Sequence, residues 1–127
     1  MPVFKDTNKL TGEIIGAAIE VHKILGPGLL ESVYEECLCH ELDLREIPHE
    51  RQKDLPIEYK GVALDTKLKL DVLVDESVII ELKSREKLEP IHEAQLLTYL
   101  KMTGLKIGLL INFNVRLLKD GIKRLAN

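Results

Sequence analysis

Residues 67–83 read KLKLDVLVDESVIIELK, two apolar runs that carry charged residues and are separated by Asp75, Glu76 and Ser77. Short runs of apolar residues interrupted by single polar ones are typical of β-strands, and the three polar residues between them suit a hairpin loop. We therefore predict a β-hairpin with strands at 67–74 and 78–83.

The length of the loop sets the register of this hairpin. If three residues form the loop, Val74 pairs with Val78 and Asp71 lies directly opposite Glu81. Side chains alternate between the two faces of a strand, so residues 69, 71 and 73 would share one face with 79, 81 and 83. A two-residue loop would place Asp71 and Glu81 on opposite faces, so this prediction depends on the loop.

Two carboxylates held opposite each other need a neighbouring positive charge. Like charges at that distance destabilise a sheet, and partial burial adds several kcal/mol for each unpaired ion. Lys83 is one source of positive charge, although the same register places it opposite Lys69. A divalent ion bridging Asp71 and Glu81 is a better source, and Mg²⁺ and Mn²⁺ prefer oxygen ligands. Such an ion could activate a water that attacks a phosphodiester, while Lys83 orients that water or neutralises charge on the phosphate. The alternative is a structural acid–lysine pair at the margin of a sheet.

The rest of the chain alternates between helical and extended patterns. Apolar residues recur every three or four positions from Lys9 to Leu25, which predicts a helix that ends at Gly26-Pro27-Gly28. The other predicted elements are a helix at 29–45, strands at 50–59, 67–74, 78–83 and 106–111, a helix at 90–102 and a short basic helix at the C-terminus. This order, ααβββαβα, predicts an α/β fold with a mixed central sheet flanked by helices.

Length and composition favour a soluble protein with one domain spanning residues 1–127. Net charge is −3, so the whole molecule is not a general nucleic-acid-binding protein, although a local basic rim would suffice for a nuclease. No apolar run is long enough to cross a bilayer, and the N-terminus does not read as a signal peptide. We therefore expect a cytoplasmic protein. Basic residues of the last predicted helix form either such a rim or a solvated face: Arg116, Lys119, Lys123 and Arg124.

Asp71 followed by Glu81-Leu82-Lys83 resembles the signature of the PD-(D/E)XK nuclease superfamily, in which an acid on one strand precedes (D/E)-x-K on the next. Leu70 stands at the position of the nominal proline. The chain more specifically resembles the GxxExxY family from about residue 9 to 125. The stretches that carry this resemblance are GLLESVY at 28–34, ELK at 81–83, HEAQLLTYL at 92–100 and GLLINF at 108–113. The resemblance implies a restriction-endonuclease-like core and a metal site for Mg²⁺ or Mn²⁺ at Asp71, Glu81 and Leu82.

Three further residues are expected to support this site. Gln95 and Tyr99 are four residues apart and share a face of the third helix, which resembles a helix motif of RecB-type nucleases. Their alternative role is a polar stripe packed against the sheet. Glu31 starts the second helix, where it either complements the helix dipole or resembles a further carboxylate near the metal. Lys67, Lys69 and Arg85 flank the site and could hold phosphate; the alternative is that they are ordinary surface residues.

The function that these residues predict is Mg²⁺- or Mn²⁺-dependent hydrolysis of phosphodiester bonds in nucleic acid, with DNA favoured over RNA. The expected catalytic residues are Asp71, Glu81, Lys83, Gln95, Tyr99 and Glu31. The alternatives are a non-catalytic nucleic-acid-binding module and a protein-interaction module that keeps the fold. Because a chain of this size has little surface for a long duplex, we also consider a homodimer or an unidentified protein partner.

Overall fold

The computed structural model describes residues 2–127 as three α-helices, five β-strands and one short 3₁₀ helix. The helices are α1 (Thr7–Leu25), α2 (Glu31–Leu44) and α3 (Pro90–Thr103). The strands are β1 (His49–Tyr59), β2 (Val62–Val74), β3 (Val78–Lys83), β4 (Ile107–Asn112) and β5 (Ile122–Ala126), and the 3₁₀ helix is Leu118–Gly121. Within residues 2–127, no helix is both long and apolar enough to span a membrane.

The five strands form one mixed sheet in the order β1-β2-β3-β4-β5. Neighbouring strands are antiparallel except β3 and β4, which run parallel and are joined by the crossover helix α3. This arrangement confirms the predicted α/β class and is consistent with a restriction-endonuclease-like core.

The two faces of the sheet carry separate apolar clusters. Helices α1 and α2 cover one face, where residues such as Ile14 and Leu38 pack against Val72 and Ile80. Helix α3 alone covers the other face, with a smaller cluster built from Leu70, Ile79, Leu96, Tyr99, Leu100 and Leu110. The α3 face is therefore the less completely covered of the two.

The hairpin between β2 and β3 has the predicted register. Val74 pairs with Val78, and the loop consists of the three residues between them. Asp75 and Glu76 adopt left-handed backbone conformations, with φ of 50° and 54°. Asp75 is buried, and its carboxylate accepts hydrogen bonds from the backbone N–H groups of Val3 and Phe4, both at 2.7 Å. The loop thus also anchors the N-terminal segment.

The expected opposition of Lys69 and Lys83 is wrong. The pairing of β2 with β3 ends at Val72 and Ile80, whereas β2 continues back to Val62 paired with β1. Where β3 ends its pairing, β1 and β2 continue as a two-stranded ribbon, on which Lys69 forms an ion pair with Asp54. The extra pairing with β1 carries Lys69 away from β3, and β2 is longer than the predicted strand at 67–74.

The predicted basic helix at the C-terminus is also wrong. Leu118–Gly121 forms a single 3₁₀ turn, and Ile122–Ala126 forms β5, which pairs with β4. Ile122 and Leu125 contact the two opposite apolar clusters, as residues three apart on a strand can do. The same spacing places two residues on one face of a helix, which explains the incorrect prediction. The strand covers an edge that the buried β4 would otherwise expose.

Candidate functional site

The carboxylates of Asp71 and Glu81 lie where β2 and β3 separate. The last paired residues are Val72 and Ile80, so these two acids are the next residue on each strand. The backbone N–H of Leu82 donates to Asp71 Oδ2 at 2.8 Å, and Glu81 Oε1 lies 3.4 Å from the Asp71 nitrogen. Side-chain oxygens thus replace carbonyl oxygens in the ladder, which brings the two carboxylates together as the register predicts.

Glu81 is the more deeply buried of the two acids. Glu81 is only 4% exposed. Burial, followed by the repulsion of the Asp71 charge, raises the pKa of the Glu81 carboxyl to about 9, and the charge of Lys83 opposes that rise only in part. A carboxyl in this setting favours its protonated form at neutral pH unless another cation replaces the proton.

Leu82 and Lys83 complete the short motif on β3. The Leu82 side chain packs into the cluster beneath α1 and α2, so only its main-chain atoms are available to the site. Lys83 is half-buried at the end of β3 and, two residues beyond Glu81, falls on the same face of the strand. Asp71, Glu81 and Lys83 therefore gather at the carboxyl end of β3.

Glu31 reaches the same end of the sheet from the start of α2. Its Oε1 accepts a hydrogen bond from the backbone N–H of Ser84 at 3.2 Å, one residue beyond Lys83. The buried Tyr34 fixes this start, because its hydroxyl donates to the Gly26 carbonyl at 2.6 Å and accepts from the Leu29 N–H at 3.1 Å. Glu31 therefore borders the site and binds the backbone next to it.

Gln95 and Tyr99 approach the site from α3. Gln95 Nε2 donates to the Tyr99 hydroxyl at 3.1 Å, so the two side chains act together. Burial, and then the nearby charges of Glu81 and Asp71, raise the pKa of the Tyr99 phenol. The phenol consequently keeps its proton and can donate it in a hydrogen bond at the edge of the carboxylate pair.

Two residues near the site have positioning contacts. His92 Nδ1 accepts from the Glu89 N–H at 2.9 Å and caps α3, while burial and then Lys83 and Arg85 lower the pKa of the His92 imidazole. Asn112 is buried at the end of β4 and binds the Arg85 backbone through both its Oδ1 and its Nδ2. The sequence patterns do not single out Asn112 as a site residue, although it is the polar residue that ends the apolar run at 107–112.

The basic residues at the C-terminus do not form one rim. Lys123 Nζ forms an ion pair with Glu93 on α3 at 2.9 Å, whereas Arg124 donates to Asn8 Oδ1 on α1 at 2.6 Å. The alternation of β5 separates these neighbours onto opposite faces. Arg85, by contrast, is exposed in the loop that follows β3 and lies near His92 and Lys83.

The donor set fits a hard divalent cation that keeps part of its own water shell. Within residues 2–127 no three His, Cys, Asp or Glu side chains gather as a metal-binding group. Asp71 and Glu81 nonetheless present two adjacent carboxylates, and the second is destabilised as an anion by burial and by the first. Mg²⁺ is commonly held by one or two carboxylates together with water and substrate oxygens, so two are sufficient.

The comparisons with known proteins agree with this geometry. A family model described as the PD-(D/E)XK nuclease superfamily matches residues 8–125. The chain belongs to the PD-(D/E)XK nuclease superfamily. Neither a curated protein nor a solved structure matches it significantly. Members of this superfamily generally use divalent metal ions and act on nucleic acid. The motif residues of this superfamily member meet at the carboxyl end of β3, which is therefore its candidate functional site.

Proposed function

We propose that this protein is a nuclease of the GxxExxY family that hydrolyses phosphodiester bonds in nucleic acid with the help of Mg²⁺ or Mn²⁺, DNA being favoured over RNA. The observation that carries the proposal is the contact between the Asp71 and Glu81 carboxylates with Lys83 on the same strand face. Such an arrangement costs stability in the absence of a cation, and so it supports a binding role more than a structural one.

Asp71 and Glu81 would hold the metal, with the main chain of Leu82 as the third ligand position. The bound ion would polarise the phosphodiester and lower the pKa of an attacking water. Asp71 already has its second oxygen fixed by the Leu82 N–H at 2.8 Å. Glu81 would enter the complex by releasing the proton that burial and Asp71 favour.

Lys83 would supply positive charge next to the scissile phosphate. Lys83 is half-buried two residues beyond Glu81, and this burial would restrict its side chain before substrate binds. In that position it would orient the attacking water and offset the negative charge that grows on the phosphate oxygens.

Gln95, Tyr99 and Glu31 would complete the boundary of the site. The Tyr99 hydroxyl, held by Gln95, would donate a hydrogen bond to substrate or to an ordered water. Glu31 would keep the chain after β3 in place through the Ser84 backbone, and it would supply a further carboxylate near the metal. The exposed Arg85 would hold a neighbouring phosphate, which makes binding dependent on salt.

Cleavage of labelled single- and double-stranded DNA and RNA, with Mg²⁺, Mn²⁺ or EDTA, tests this proposal. Lys83→Ala should lose cleavage, whereas Lys106→Ala, purified identically, should retain it. Lys106 is an exposed lysine that precedes β4, at the end of the parallel β3–β4 pair opposite to Lys83. Equal cleavage by both variants would point to a contaminating nuclease.

Mn²⁺ binding to the wild type and to Asp71→Asn distinguishes the nuclease from the non-catalytic module and from the protein-interaction module. Binding that the substitution removes, together with cleavage that EDTA removes, would establish the nuclease. Binding of nucleic acid without turnover in any metal, and without Mn²⁺ binding, would instead favour the non-catalytic module. If the protein binds neither nucleic acid nor metal, the result would favour a protein-interaction role.

A further inference from the structure

In the ribbon formed by β1 and β2, the side chains of β2 change from one face of the sheet to the other at Asp71. Leu70 packs in the cluster beneath α3, whereas Val72 packs in the cluster beneath α1 and α2. Two residues that are separated by one on a regular strand share a face. The ladder pairs Arg51 with Val72 and Lys53 with Leu70, in unchanged register, and skips the residues between them.

The residue opposite Asp71 in this register is Gln52, which adopts a left-handed backbone conformation with φ of 53°. Such a conformation is unfavourable for a residue other than glycine and persists where surrounding contacts enforce it. The reversal of the ribbon and the unusual backbone of Gln52 thus occur at the same position, directly across from a proposed metal ligand.

One buried side chain binds two adjacent residues of β1 at this position. Glu35 on α2 is 7% exposed, and its two carboxylate oxygens bind different residues of β1. Oε2 accepts from Arg51 Nε at 2.6 Å and Oε1 accepts from Gln52 Nε2 at 2.7 Å. The guanidinium neutralises the buried charge, while the amide contact fixes the residue with the left-handed backbone.

We propose that Glu35, through Arg51 and Gln52, is a positioning residue that sets the orientation of the Asp71 carboxylate. A strand irregularity beside an active site commonly redirects a side chain, and this one redirects β2 where Asp71 leaves β3. Glu35 is four residues beyond Glu31 on α2, so the same helix would border the site with one acid and shape it with another. The inference rests on the proposed function for its consequence, but its geometric part does not require a metal.

The first measurement is amide hydrogen exchange of Leu82 in the metal-free protein, because its N–H donates to Asp71 Oδ2. In Glu35→Gln we expect Leu82 exchange to accelerate at least about tenfold, relative to the global exchange of each variant. Glu41→Gln is the matched control, since Glu41, also on α2, forms its ion pair with Arg45 at 2.9 Å and not with a residue of β1. Unchanged Leu82 protection in Glu35→Gln would overturn the inference.

Two substitutions at position 52 test the backbone directly. Both Gln52→Gly and Gln52→Val remove the amide contact, but glycine tolerates positive φ whereas valine does not. Gln52→Val should lose Leu82 protection and Gln52→Gly should retain most of it. Equal losses in the two variants would contradict a role for the left-handed conformation.

Mn²⁺ affinity then links the positioning to the proposed function. The dissociation constant should rise about tenfold in Glu35→Gln and Gln52→Val, as it does when supporting contacts of metal ligands are lost. Faster Leu82 exchange in Glu35→Gln, together with a wild type that binds no Mn²⁺, would uphold the positioning and reject the proposed metal site. Unaltered exchange with normal Mn²⁺ binding would reject the positioning alone.

Discussion

The hairpin of β2 and β3 has a buried acid at each end, and the two acids have opposite surroundings. Asp75 in the loop accepts two backbone hydrogen bonds at 2.7 Å, from Val3 and Phe4. Glu81 at the other end faces the carboxylate of Asp71, and its Oε1 lies 3.4 Å from the backbone nitrogen of Asp71. Both residues are less than 5% exposed.

The two acids differ in their partners, as we expect of a structural acid and of a functional one. Asp75 has donors on both oxygens, so its burial is offset by contacts within the chain. Glu81 has an acid as its principal neighbour, and its pKa rises to about 9 because of burial and that neighbour. Strongly perturbed carboxyls with a like-charged partner are concentrated at functional sites. Substitutions of Glu81 and Asp75 can test this difference separately, because each changes one end of the hairpin and leaves the other intact.

The largest effect is expected from Glu81→Gln. Loss of one of two carboxylate ligands should reduce cleavage at least about 100-fold, because metal stabilisation of the transition state is worth several kcal/mol. The same change should stabilise the metal-free protein by about 1–3 kcal/mol at pH 8, since an amide carries no proton cost at this position. Cleavage rates and urea unfolding in EDTA measure the two effects.

Opposite signs for activity and stability are the signature of a functional acid. Glu81→Gln that lowered both would place Glu81 in the same structural class as Asp75. Glu58→Gln provides a matched control, because Glu58 is exposed on the ribbon and pairs across from Ala63.

At the other end, Asp75→Ala should destabilise the protein by about 2–4 kcal/mol. The substitution removes the acceptor for two N–H groups, which cost about 1–3 kcal/mol each when unsatisfied, and places alanine at a φ of 50°. Asp75→Asn keeps one carbonyl acceptor and tolerates that backbone, so we expect roughly half the loss. Weaker Mn²⁺ binding in Asp75→Ala, measured well below the melting temperature, would show that the two ends are coupled.

The third prediction concerns pH. The pKa of Glu81 is about 9 in the folded protein and near 4.5 in its ordinary state, so the folded form binds the extra proton between those values. Stability of the metal-free protein should therefore fall as pH rises from 5 to 9, by at most about 1.4 kcal/mol per pH unit from this group. Melting temperatures of wild type and Glu81→Gln, compared across that range in EDTA, isolate the contribution. A flat difference between the two curves would contradict it.

The β2–β3 hairpin and its register could be predicted because local sequence carries both. Polar residues at 75–77 mark the loop, and the apolar runs on either side leave one pairing that keeps Asp71 and Glu81 on a common face. The α3 helix was also predictable from Pro90 at its start and Gly104 at its end, where φ is 75°.

The missed features depend on contacts between distant segments. The alternation of Ile122 and Leu125 fits a helix and a strand equally, and only the open edge of β4 decides in favour of β5. The left-handed backbone of Gln52 likewise depends on Glu35, which lies seventeen residues earlier. In the sequence, Glu35 is only one of several acids in a charged helix. Local patterns therefore predict the acids of the site but not what orients them.

The smallest expected effect belongs to Tyr99→Phe. This change removes the hydroxyl that accepts from Gln95 and faces the carboxylate pair, while the ring continues to pack beneath the sheet. One hydrogen bond is worth about 0.5–1.5 kcal/mol, which corresponds to a decrease in the cleavage rate of roughly 2- to 10-fold. Mn²⁺ affinity should stay within about twofold of the wild type, because the hydroxyl is not proposed as a ligand.

Tyr59→Phe is the matched control, because Tyr59 is exposed near the tip of the ribbon and makes its own contact with Lys60. Equal effects of the two substitutions would remove Tyr99 from the site. A loss of Mn²⁺ affinity in Tyr99→Phe alone would instead mean that the hydroxyl shapes the carboxylate pair. Glu81 would then have the Tyr99 hydroxyl as a hydrogen-bond donor in addition to Asp71 as an acidic neighbour. The difference between Glu81 and Asp75 would then lie in the strength of the donors that each acid has.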